Sequence, residues 1–199
     1  MYKKQLKLQK AVCLLVLIAS VIVFLYSLGI MTDLYDALYT TIGAPDNPEN
    51  TRRNPVAGAF IYYDMQGFNR QFLHAGILLI LASLLLFLTN THVRRKYYVG
   101  NVFAVAVNAA ACLGVTIWAG AQIRAFKAQF LQIDFEALKT FSQRLNTLYT
   151  ESTFWFDVHT AVFALLILAN VLLIANMIWK FRLMKEEAQL IRAGKEAAA

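Results

Sequence analysis

Residues 11–31 read AVCLLVLIASVIVFLYSLGIM, 21 consecutive positions without a charged side chain. An α-helix rises about 1.5 Å per residue, so a hydrocarbon layer about 30 Å thick needs about 20 apolar residues to cross it. This run meets that length. A cleaved signal peptide is the competing reading, because residues 1–10 form a basic lead-in (Lys3, Lys4, Lys7, Lys10). The apolar stretch is longer than the about 7–15 residues of a signal core, and its exit, Ser27-Leu28-Gly29-Ile30-Met31, lacks a small-x-small cleavage pattern. The run therefore reads as a retained membrane helix.

Three further runs have the same character: 72–90, broken only by His74, then 99–123, and 158–179. Composition agrees, since 59% of the 199 residues are hydrophobic and only 16% are charged. Soluble domains carry roughly 45–50% apolar and about 25% charged residues. The excess has to face lipid. The sequence predicts an all-α integral membrane protein with a four-helix bundle and spans at 11–31, 72–90, 99–123 and 158–179.

Charge placement gives an orientation. Residues 1–10, 91–98 and 180–199 hold 12 of the 19 Lys and Arg and three of the 12 acids, a net charge of +9. The longer segments 32–71 and 124–157 hold seven bases and nine acids, a net charge of −2. The positive-inside rule places both termini and the short loop in the cytoplasm of a plasma-membrane protein. The formal net charge of +7 thus reads as a topology signal, and nucleic acid is not expected as a partner.

The segments outside the spans differ from one another. In the first outer loop all three prolines (Pro45, Pro48, Pro55) sit among Asp46, Asn47, Asn50 and Asn54, the composition of turn-rich chain. It then turns aromatic at Phe60-Ile61-Tyr62-Tyr63-Asp64. In the second outer loop Ile123, Phe126, Phe130, Ile133, Leu138, Phe141, Leu145 and Leu148 recur at helical spacing. Asp134 is placed to cap a new helix, with Ile133 and Leu138 as a hydrophobic staple. The expectation is a third helix that runs on past the bilayer, bends near Asp134 and resumes to about Tyr149, forming a small extracytoplasmic cap with the first outer loop. The tail, 180–199, reads as a helical extension of the fourth span.

The two hairpins also admit a parallel-repeat reading. Phe60–Asp64 before the second span and Phe154–Asp157 before the fourth are both aromatic runs ending in Asp, and Gly29 can be laid beside Gly120. The plan of four helices with two long outer loops resembles that of tetraspanins, claudins and connexins. Those families carry cysteine motifs in their outer loops, whereas Cys13 and Cys112 both lie inside spans. The resemblance stops at topology, and no residue carries over.

Candidate sites are few. Asn108 and Asn170 lie near the centres of the third and fourth spans and are placed to meet as interhelical glue, or else to line a path. Ala106, Ala110 and Gly114 form a small-residue ridge that permits close helix approach. His74 and His159 share a depth at the outer boundary, with Asp157 beside the second. Two histidines at matched depth suit a haem or a metal, while loop-bonded interfacial histidines are the plainer reading. No span centre carries Lys, Arg, Asp or Glu, and no Walker, GxSxG or HExxH motif occurs. No catalytic residue, resident cofactor or metal set is assigned. The expectation is a non-enzymatic tetraspan subunit or scaffold with a protein partner or a second copy, accessory to a transport or secretion complex. The alternatives are a small oligomeric transporter or channel and a two-histidine haem protein.

Overall fold

A computed structural model describes residues 2–30, 56–58, 61–90, 98–145 and 151–196. The described chain is helical, and there is no strand among the described residues. It comprises α1 (Tyr2–Gly29), α2 (Ile61–Asn90), α3 (Tyr98–Phe130), α4 (Phe135–Leu145) and α5 (Phe154–Glu196). Four of them, α1, α2, α3 and α5, are long and apolar enough to cross a membrane.

The apolar runs 72–90, 99–123 and 158–179 lie within longer helices, and α1 covers the first run as far as Gly29. α1 starts at Tyr2 rather than near Ala11, and α2 starts at Ile61, eleven positions before Phe72. The hydropathy run marks what lipid tolerates, whereas the helix ends where its backbone hydrogen bonds do. Lys and Gln are good helix formers, so nothing in residues 3–10 stops the helix. Most of the first outer loop (31–55), the short loop (91–97), residues 146–150 and residues 197–199 fall outside the described residues, as do the expectations made for them.

Packing divides the chain into two units, each built from parts of the four long helices. Unit 1 comprises Met1–Ser20, Leu79–Leu113 and Leu165–Ala199; unit 2 comprises Val21–Leu78 and Gly114–Ala164. The described core of unit 1 includes Val16, Ala19, Leu79, Leu86, Val105, Leu166 and Leu173, interrupted by buried amides and hydroxyls.

The core of unit 2 is aromatic. Tyr26, Phe72 and Phe163 meet pairwise edge to face with centroids 5.9–6.3 Å apart. Phe68 stacks on Phe72 at 5.5 Å and touches Trp118 and Phe126 at the same distance. Such rings prefer offset and edge contacts because the ring face is negative and its edge positive. The Tyr26 hydroxyl is satisfied by the Trp155 carbonyl at 2.7 Å. α1 and α2 approach closely at Gly76, where an added Cβ would stand 3.1 Å from Phe24 Cα.

The bend at Asp134 is present in unit 2. α3 ends at Phe130, and Asp134 Oδ1 accepts from the Ala137 N–H at 3.0 Å, capping α4. Ile133 and Leu138 are both buried, as a staple requires. The Val56–Gly58 segment packs here, with the Asp134 N–H donating to the Ala57 carbonyl at 3.4 Å. Gly58 has φ +81°, and a Cβ there would press on Gln132 and Ile133, so glycine is required for both reasons.

Candidate functional site

The interior of unit 1 holds polar side chains at two levels. At the first, a chain of hydrogen bonds joins α3, α2 and α1, and Asn170 of α5 is buried beside its own helix, donating to the Leu166 carbonyl at 2.9 Å. The Cys112 thiol donates to Asn108 Oδ1 at 3.6 Å, and Asn108 Nδ2 donates to Ser83 Oγ of α2 at 3.3 Å. Ser83 Oγ lies 2.7 Å from Ser20 Oγ of α1, and Ser20 donates to the Val16 carbonyl at 2.9 Å. A hydroxyl has one hydrogen, and that of Ser20 is committed to Val16. Ser83 is therefore the donor between the two serines, and the chain runs in one direction from α3 to α1.

The hydrogen bonds of Asn108 run to Cys112 and Ser83, and that of Asn170 runs to its own helix. Asn170 is only 7% exposed, and no donor among the described residues reaches its Oδ1.

The second level surrounds the end of α2. A helix leaves its last carbonyls without intrahelical partners. Gln9 of α1 donates to the Asn90 carbonyl at 2.6 Å and to Asn90 Oδ1 at 3.2 Å. Gln5 donates to Gln9 at 3.0 Å and to Asn176 of α5 at 3.4 Å. With the Asn101 carboxamide oriented so that its nitrogen meets the Thr89 carbonyl at 3.1 Å, its oxygen accepts from Lys180 Nζ at 3.0 Å.

Lys180 is 5% exposed and is the one charged side chain buried among the described residues. Positions three and four residues away along α5 are Asn176, Met177, Leu183 and Met184, so its own helix offers no carboxylate there. The negative end of the α2 dipole, reached through Asn101, is the compensation the fold supplies. The two levels are separated by buried apolar side chains: Val16, Leu86, Val105 and Leu173.

In unit 2 the boundary residues Asp157, His159 and His74 have distinct surroundings. Asp157 pairs with Lys127 through Oδ1 and accepts from the Thr153 hydroxyl at 2.8 Å through Oδ2. It precedes the apolar run 158–179. The Lys127 hydrogen bond, followed by that of Thr153, holds its carboxyl below the usual aspartate range. The His159 ring nitrogen Nδ1 engages the Phe156 carbonyl, and the ring meets the Phe163 edge at 6.0 Å. His74 is exposed on α2. No group of three or more metal-capable side chains occurs among the described residues.

The ridge Ala106, Ala110 and Gly114 is exposed throughout, and a Cβ on Gly114 would meet nothing within 4 Å. It is not a contact surface among the described residues.

Sequence reasoning singled out Asn108 and Asn170 but missed Ser20, Ser83, Gln5, Gln9, Asn90, Asn101, Asn176 and Lys180. The signal was spacing: Gln5 and Gln9 are four apart, Ser83 and Asn90 seven, Asn101 and Asn108 seven, and Asn176 and Lys180 four. Each pair lies on one helix face. The chain was also compared with known proteins: no family model, no curated protein and no solved structure matches it.

Proposed function

We propose that this protein is a non-enzymatic tetraspan subunit or scaffold of the plasma membrane, with both termini in the cytoplasm, that binds a protein partner. The observation that carries the reading is the length of α5. Its 43 residues correspond to about 64 Å of helix, whereas the apolar run 158–179 accounts for about half. The remainder carries Arg182, Lys185, Glu186, Glu187 and Arg192, so it belongs in water. Yet Leu190 is 74% exposed and Ile191 45% exposed on it. Apolar side chains on a charged, projecting helix are the ordinary form of a docking element.

Two features add support. The small-residue ridge on α3 is exposed and continues along the helix at Ala121 and Ala125, a surface that suits a second membrane helix. The amphipathic α4 with the Val56–Gly58 segment suits a small cap outside the cell.

The conduit and haem readings are less well supported. Most interior amides and hydroxyls of unit 1 pair with one another, and Leu86, Val105 and Leu173 lie between the two polar levels. His159 is engaged by the Phe156 carbonyl of its own helix, and His74 is exposed on α2.

The test is purification in mild detergent with partner identification by mass spectrometry. A stoichiometric partner is expected, and it should be lost on Leu190→Glu with Ile191→Glu. A strictly monomeric, partner-free protein contradicts the proposal.

A further inference from the structure

We propose that α2 carries a self-association surface through which two copies of this chain pair within the membrane. Gln71 and His74 of each copy hydrogen-bond their counterparts in the other. The observation behind this is depth. In unit 2 the Phe72 ring meets Tyr26 of α1 at 5.9 Å, Trp118 of α3 at 6.4 Å and Phe163 of α5 at 6.2 Å. Those three residues each stand five positions in from the adjacent ends of their apolar runs, at residues 31, 123 and 158. At about 1.5 Å per residue, Gln71 therefore lies about 6 Å and His74 about 10 Å inside the hydrocarbon limit that the neighbours mark. Hydropathy alone conceals this, because the apolar run of α2 begins only at Phe72.

Both side chains are exposed, and neither has a hydrogen-bond partner among the described residues. Lipid tails offer none at that depth, and a polar group left unpaired in hydrocarbon is costly. The chemistry selects the occupant. Two copies inserted the same way round are related by an axis along the membrane normal, so each residue of the shared face meets its own counterpart at its own depth. A carboxamide and an imidazole each carry a donor and an acceptor, so Gln71 and His74 satisfy their own copies, where a charged side chain would repel its own. The rest of the face fits. Gln71, His74, Leu78, Leu81, Leu85 and Leu88 alternate by three and four residues along α2, and all are exposed. That is the seam of a parallel left-handed helix pair, in which polar residues fix the register.

The inference rests on the reading of α2 as a membrane span and not on the partner proposed for α5. It is tested by oxidative cross-linking of single cysteines in native membranes, with the wild type as blank because Cys13 and Cys112 are buried. Leu78→Cys and Leu85→Cys should give a band of twice the chain mass. Val107→Cys on α3 and Val171→Cys on α5, which are exposed too, should not. The bands should survive Leu190→Glu with Ile191→Glu, which separates this pairing from the partner reading. In liposomes of increasing dilution, fluorescence transfer should show Gln71→Leu with His74→Leu dimerising about tenfold more weakly than the wild type. Both positions are exposed and leucine keeps the helix, so the fold is retained. The proposal is overturned by the absence of both seam bands, by bands as strong from the control positions, or by cross-links to a different protein in their place. An undiminished dimer in the double leucine variant overturns it as well.

Discussion

Ser83 Oγ stands 2.7 Å from Ser20 Oγ and is the donor of that pair, which makes the two serines chemically unequal. Ser83→Ala removes a donor to Ser20 and the acceptor of Asn108, leaving a buried carboxamide N–H without its partner. Ser20→Ala removes the acceptor of Ser83, which is free to rotate toward a carbonyl of its own helix, and a side-chain bond to the Val16 carbonyl within α1. The expected cost is about 1–2 kcal/mol for Ser83→Ala and less than about 1 kcal/mol for Ser20→Ala, within the range of interhelical hydrogen bonds in membranes. Unfolding equilibria in bicelles measure both. Equal costs would contradict the donor direction.

The buried ammonium of Lys180 depends on Asn101 for its acceptor. Removing that acceptor leaves an unsatisfied charge, the costliest kind of loss in a low-dielectric interior. Asn101→Leu is expected to destabilise by about 2–4 kcal/mol alone and by clearly less in the Lys180→Met background. A double-mutant cycle reads the coupling, and additivity would show that Lys180 does not rely on Asn101.

How far the sequence reveals this arrangement depends on what each residue says locally. The four helices were legible because 21 charge-free residues at 11–31 have no other common use. The Asp134 cap was legible because an acid between Ile133 and Leu138 is a local signal, complete within a few residues. Lys180 was not. At the edge of an apolar run a lysine ordinarily snorkels to water, and only the end of α2 with Asn101 beside it shows that this one is buried. Asn108 and Asn170 were recognised as interior groups, but the thiol that donates to Asn108 was not, since a cysteine in an apolar run looks like any small hydrophobe. Nothing in the spacing alone tells whether Asp157 prefers His159 or Lys127, because Lys127 is thirty positions away.

Gly76 sets the separation of α1 and α2. A methyl there would stand 3.1 Å from Phe24 Cα, a backbone neighbour that cannot rotate aside. Gly76→Ala is expected to cost about 1–2 kcal/mol despite the better helix propensity of alanine, and Gly76→Leu to prevent close packing altogether. Gly114→Ala is the control, since open space surrounds it. Stabilisation or no change in that variant, against a lower melting temperature in Gly76→Ala, is the expected pair.

The ion pair of Asp157 with Lys127 gives unit 2 an acid-sensitive contribution. The carboxyl titrates lower in the folded protein than in the unfolded one, so the contribution is fully present above the ordinary aspartate value. It is lost as pH falls below about 4 and through the depressed folded value. The pair is exposed, so the effect should be small and should shrink in high salt. Melting temperatures of wild type and Asp157→Asn should differ at pH 7 and draw together as pH falls below about 4. A gap that stays constant with pH would contradict a contribution from the ionised carboxyl.

The central claim is that four helices cross the membrane with both ends of the chain on the cytoplasmic side. Single cysteines introduced as Lys4→Cys, Ala128→Cys and Gln189→Cys test it directly, because all three positions are exposed and the native Cys13 and Cys112 are buried. In intact cells a membrane-impermeant maleimide should label Ala128→Cys and leave Lys4→Cys and Gln189→Cys unlabelled until the membrane is permeabilised. Labelling of either terminal site from outside, or protection of Ala128→Cys, would contradict the account.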